Sequence, residues 1–156
     1  MPTMKEAASA FLANKRIAVT GVSRSAKDHG GNTIFRRLRD RGYDVFPVNP
    51  NADEVEGVTS YHDLASIPGG VGAVVIATAP DRAEGTMREC AALGITHVWM
   101  HHGPGPTSVS AAATDYGRAQ GITVIDGGCP LMFEPTADFA HKVMRVVLSG
   151  RVPKAV

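Results

Sequence analysis

Residues 16–20, Arg-Ile-Ala-Val-Thr, form a short run with an unbroken apolar centre that stops at Gly21. A run without polar alternation suits a strand buried on both faces. A polar, glycine-containing loop follows, and then a helical pattern from about Asn32 to Arg41. Ile34, Phe35 and Leu38 fall on one face of that pattern, with Arg36, Arg37, Arg39 and Asp40 mostly elsewhere. Gly42 supplies a C-terminal stop, and Asp44–Val48 reads as a second strand. Strand, loop, helix, strand is a βαβ unit. Its first loop is where open α/β sheets bind phosphate.

The same alternation continues. Strands are expected at Ala73–Ala77, His97–Met100 and Ile122–Ile125, and helices at about Asp81–Leu93, Thr107–Ala119 and Ala137–Leu148. A shorter helix, capped by Ser60, is expected around Tyr61–Leu64. Thr3 and Glu6 form a capping box for an N-terminal helix reaching about Ala13, which packs at the domain's edge. Met87, Cys90, Ala91 and Leu93 make one apolar side, and Phe139, Val143, Val146 and Val147 another that faces the core. The pattern predicts one α/β domain over residues 1–156, a three-layer Rossmann-like fold. Its five-stranded parallel sheet takes the order 3-2-1-4-5, with helices on both faces. Residues 1–14 carry the N-terminal helix, and 151–156 read as a flexible, frayed tail.

The first loop has the chemistry of an anion site. Gly21 allows a sharp turn and close backbone approach. Ser23 offers a hydroxyl, while Arg24 and Lys27 carry positive charge beside a single acid, Asp28. Gly30 and Gly31 leave the first-turn N–H groups open, and Asn32 or Thr33 caps that turn or donates to a phosphate. Neither common nucleotide fingerprint is present. The G-x-G-x-x-G spacing fails at Ser23, the second strand ends in Asn49-Pro50 with no acid for a ribose, and no Walker loop exists.

Bulk properties narrow the classes. With 156 residues and a net charge of +1, nothing global favours nucleic acid or a membrane surface. Cys90 and Cys129 are the only cysteines, without zinc or disulfide spacing. No secretory signal and no membrane-length apolar run is visible, so a soluble, cytoplasmic protein is expected. Cys90 suits a buried helix face. Cys129, in Gly-Gly-Cys-Pro, is the one candidate for thiol chemistry, including a mixed disulfide with a thiol ligand. His101 and His102 are adjacent and diverge on a strand end, which is poor metal geometry. No metal is expected, and His102 is the one read as a hydrogen-bond partner in the pocket.

Every expected strand ends in a conspicuous loop: Gly21-Val22-Ser23, Asn49-Pro50-Asn51, Thr78-Ala79-Pro80, His102-Gly103-Pro104 and Cys129-Pro130. Together with Gly42-Tyr43, Val45, Pro47-Val48, Gly57, Tyr61, Ile67-Pro68, Gly94, Val98-Trp99 and Gly121, the order resembles the CoA-binding domain family. These are small Rossmann-like proteins related to the nucleotide domain of the succinyl-CoA synthetase α subunit. The resemblance implies coenzyme A or an acyl-CoA as ligand. It puts Gly21, Val22, Ser23 and Arg24 on the phosphates, with Lys27 as an accessory cation. Asn49 and Pro50 would line the adenosine side, and Thr78, Ala79 and Pro80 the adenine or the start of the pantetheine. His102, Gly103 and Pro104 would lie further along the pantetheine, toward Cys129. The chain departs from the family pattern at Gly72-Ala73, at Met100-His101-His102 and at Gly128. The expected function is non-catalytic binding of that nucleotide, with a homodimer conceivable. The alternatives are an NAD(P)-dependent oxidoreductase and an interaction module with a vestigial pocket.

Overall fold

The computed structural model describes residues 2–25 and 30–156. In chain order the elements are α1 (Met4–Leu12), β1 (Arg16–Thr20), α2 (Gly30–Asp40), β2 (Asp44–Val48), β3 (Glu54–Val55), β4 (Val58–Thr59) and β5 (Ala73–Ile76). Then come α3 (Pro80–Ala92), β6 (His97–Met100), α4 (Ala111–Ala119), β7 (Thr123–Asp126) and α5 (Phe139–Val147). Short 3-10 turns lie at Pro130–Met132 and Ser149–Arg151.

Five parallel strands form the sheet, and their burial explains the unbroken apolar runs. Ile17, Val19, Val75, Trp99 and Ile125 face one layer with α1 and α2. Ala18, Val74, Ile76, Val98, Met100 and Val124 face the other with α3 and α4. Alternate residues go to opposite faces, so a strand covered on both must be apolar throughout.

The expected α/β class holds, but the order of strands differs. The sheet reads β2-β1-β5-β6-β7, so the third strand of the sheet lies beside the first rather than beyond the second. Pro47 gives the reason. It has no N–H, which confines β2 to an edge. The outer side of β2 receives only a brief bridge, with Tyr61 donating to the Pro47 carbonyl at 3.0 Å. β5 therefore pairs with the open side of β1, from Ile17 opposite Ala73 to Val19 opposite Val75. The β1–α2–β2 and β5–α3–β6 crossovers run in opposite directions along the sheet and place α2 and α3 on opposite faces, creating a switch point between β1 and β5.

Three other expectations are corrected. The segment at Tyr61–Leu64 is irregular; before it lies the β3–β4 hairpin, turned at Glu56 (φ 52°) and Gly57 (φ 74°). An X-Gly pair between Val55 and Val58 is the sequence signal for that turn. Residues 151–156 are not frayed. Met4 donates to the Lys154 carbonyl, Val156 donates to the Pro2 carbonyl, and the Val156 side chain is buried. Finally, Phe139, Val146 and Val147 point outward, 83%, 75% and 73% exposed. Asp138, the N-cap of α5, lies 3.8 Å from Arg37 of α2 and 3.7 Å from Arg41 just after it. That anchorage turns Met144 inward and leaves the apolar stripe, and half-exposed Val143, in solvent.

Trp99 anchors the first layer. It is fully buried, meets Phe11 edge-on at 5.3 Å, and donates Nε1–H to the Gly127 carbonyl at 2.8 Å. Trp99→Phe leaves that buried carbonyl without its donor and opens a void. A loss of about 2–4 kcal/mol in denaturant unfolding is expected, and an unchanged midpoint would contradict the assignment.

Candidate functional site

Two cavities open at the carboxyl edge of the sheet. The first, about 960 Å³, lies between the ends of β2, β1 and β5 and the start of α3, with Gly21, Ser23, Asn49, Asp81 and Arg82 in its wall. The second, about 590 Å³, lies between the first turn of α2, the segment after β6 and α5, with Thr33, His101, Ser108, His141 and Met144 in its wall. Ala77, Thr78 and Ala79 line both. That common wall is the end of β5, beside the switch point where open α/β sheets hold ligands.

The first loop is held by side chains of its own neighbourhood. The buried Asn32 carboxamide accepts from the Ser23 N–H at 2.8 Å and donates to the Ser23 carbonyl at 2.8 Å. It also donates to Glu56 at 2.8 Å, and Glu56 pairs with Arg36 at 2.8 Å. Asn32 is thus neither a cap nor a phosphate donor, as the sequence had suggested. Asn49 donates to the Val22 carbonyl at 3.0 Å, so its amide ties two loops together. Gly21 sits at φ 74°, and a Cβ there would lie 2.5 Å from the Ala77 carbonyl oxygen. Glycine is required by the approach of two loops, before any ligand is considered.

The expected site residues sort themselves between these cavities. Gly21, Val22, Ser23, Asn49 and Pro50 line the first, Pro104 and Cys129 the second, and Thr78 and Ala79 both. Arg24 is exposed and, with Pro80, His102 and Gly103, lies outside both linings. Lys27 falls outside the described residues. At the β6 end the assignment shifts by one residue. His101, not His102, enters the cavity wall, because it continues the face of His97 and Trp99. Its N–H donates to the Ile76 carbonyl at 3.0 Å, prolonging the pairing with β5. Arg82 and His141 were also missed. Pro80 marks the first position of α3 and so places Arg82 in its opening turn.

The electrostatics discourage chemistry at the thiol. Burial pushes the Cys129 thiol up to about 12, which favours the protonated form and weighs against its candidacy for thiol chemistry. Cys90 is pushed up to about 12 by burial as well and is a core residue, as its helical position implies. His101 is driven down to about 4, first by burial and then by the nearby His102 and His141 rings. Burial works to raise Asp138, but hydrogen bonds from the His141 backbone and ring outweigh it and hold the carboxyl below its usual range. No cluster of three or more metal-ligating side chains exists among the described residues. Nor is any of their helices long and apolar enough to cross a membrane.

Residues 15–135 match the CoA binding domain family. The chain belongs to this family. A curated relative, the uncharacterized protein YneT of Bacillus subtilis strain 168, is 28% identical over 128 residues, covering 82% of this chain and 91% of its own. The acetate–CoA ligase [ADP-forming] II subunit alpha of Pyrococcus furiosus is 34% identical over 89 residues, covering 56% of this chain. This CoA-binding domain spans only 19% of that subunit. Among solved structures, a hypothetical protein from Pyrococcus horikoshii OT3 superimposes with a TM-score of 0.70 at 23% identity, over 80% of this chain and 87% of the other. A dinucleotide-forming acetyl-coenzyme A synthetase of Ca. Korarchaeum cryptofilum, in complex with phosphate and ADP, gives a TM-score of 0.59 at 25% identity. It covers 71% of this chain and 25% of its own.

One polar atom in the walls of the CoA-binding domain is left unmatched. Thr78 Oγ1 is buried and has no hydrogen-bond partner among the described residues, on the segment that both cavities share. A buried hydroxyl without a partner is a cost that a ligand's polar atoms relieve.

His101 supplies a pH test. Its folded pKa lies below the 6.5 of an unconstrained histidine, so the unfolded chain binds the extra proton. The stability due to neutral His101 is complete above about pH 6.5 and is lost as pH falls toward 4. A loss of roughly 3 kcal/mol over that window is expected from a shift of this size. The His101→Gln variant should show a visibly shallower slope in urea titrations across the same range.

Proposed function

We propose that this domain binds coenzyme A or an acyl-CoA without transforming it. The phosphorylated head would occupy the first cavity, and the pantetheine arm would run past Thr78 into the second. The observation that carries this reading is the pair of cavities sharing one wall at the switch point, in a member of the CoA-binding family. Arg82 and Ser23, both in the wall of the first cavity, are suited to a phosphate, and exposed Arg24 follows Ser23 in the chain. A protonated, buried Cys129 supports binding without thiol chemistry.

The dinucleotide-oxidoreductase alternative gains nothing here. The end of β2 offers Asn49, already bonded to Val22, where a ribose-binding acid would be needed. For self-association, the exposed stripe of α5 is the surface that suits a second copy. Residence in the cytoplasm is part of the same proposal, matching the use of reduced, buried cysteines.

Thermal shift and calorimetry test the reading. Coenzyme A at about a hundred times its Kd should raise the melting temperature by roughly 5–10 °C, while NAD and NADP leave it unchanged. Arg82→Ala should weaken coenzyme A about tenfold or more, as the loss of a charge-assisted contact does. Flat titrations with coenzyme A and its acyl forms would overturn the proposal.

A further inference from the structure

The two cavities differ in chemistry. The first is walled by Asp63, Asp81, Arg82 and Glu89 among its polar groups. The lining of the second contains no lysine, arginine, aspartate or glutamate among the described residues. Its apolar surfaces come from Ile34, Leu131, Met144 and the Cys129 side chain, with Thr33 and Ser108 at the polar margin. The titratable groups around it are neutral or already engaged. His101 is held uncharged by burial, and the Cys129 thiol remains protonated. The His141 ring is bonded through Nδ1 to Asp138 at 2.8 Å, and Asp138 lies beside Arg37 and Arg41.

A space of this kind discriminates by charge. An ionised group entering it would lose water and find no lysine, arginine, aspartate or glutamate among the described lining residues, whereas an apolar chain gains from leaving water. Its volume, about 590 Å³, exceeds what a terminal thiol needs.

We propose that the second cavity holds the uncharged acyl chain of an acyl thioester, so that the protein selects acyl-CoA over free coenzyme A. This rests on the binding reading above, since the cavity is reached along the Ala77–Ala79 segment that also walls the nucleotide site. Met144 sets the depth. It is the flexible side chain that α5 turns inward, and α5 is fixed to α2 through Asp138. The acyl group is accommodated, and the protonated Cys129 beside it does not attack.

Calorimetry with coenzyme A, butyryl-CoA, hexanoyl-CoA and succinyl-CoA decides the matter. Affinity should rise about fourfold for each methylene the cavity accepts. Succinyl-CoA, which carries a carboxylate at the chain end, should bind no tighter than free coenzyme A. Met144→Trp should bring the ratio of hexanoyl-CoA to coenzyme A affinity toward one. Met144→Ala, the gentler change, should move the tightest ligand to a longer chain. Equal affinities for coenzyme A and all its thioesters would overturn this inference and leave nucleotide binding standing, as would a preference for succinyl-CoA. Failure of every one of these ligands to bind would remove both readings together.

Discussion

The approach of the β1 loop to the end of β5 is the constraint on which the site depends. Gly21 turns off β1 with a left-handed backbone and passes so close to the Ala77 carbonyl that no side chain fits between them. This contact exists only because β5 pairs with β1. Were the third strand of the sheet beyond β2, the loops at Gly21 and Thr78 would be separated by a strand, and neither cavity would share a wall. The binding edge is therefore a consequence of strand order, and strand order is a consequence of where β2 can accept a neighbour.

Around that contact the structure invests its polar side chains in the protein itself. Asn32, wholly buried, satisfies both backbone groups of Ser23 and reaches Glu56. Asn49 holds the Val22 carbonyl. Buried amides are stable only when their donors and acceptors are matched, and here matching shapes the loop in advance of a ligand. Thr78 Oγ1, on the segment shared by the two cavities, is left without a partner among the described residues. The hairpin tip at Glu56, in a strained left-handed conformation, is part of the same frame.

Much of the architecture was legible from residue order. Apolar runs of four or five residues, punctuated by glycine and proline, announced parallel strands covered on both faces. Cys90 was correctly placed in a helix core because helical spacing alone decides that. The α5 stripe shows the opposite case. Phe139, Val146 and Val147 have the spacing of a core face, yet they stand in solvent because ion pairs between Asp138 and α2 orient the helix. Periodicity tells which residues share a face, never which way that face turns. The β6 terminus failed for a related reason: adjacent histidines are equivalent in sequence, and only the phase of Trp99 in the sheet separates His101 from His102.

By itself, then, the amino-acid order determined the class of fold, the five strands, the anion-friendly first loop and the likeness to CoA-binding domains. All of these rest on local periodicity, turn chemistry and residue type. Tertiary structure alone decided that β5 lies beside β1, that burial pushes the Cys129 thiol up to about 12, and that two cavities share a wall at the end of β5. Strand neighbours, desolvation and cavity walls are set by residues distant in the chain, so no local pattern encodes them.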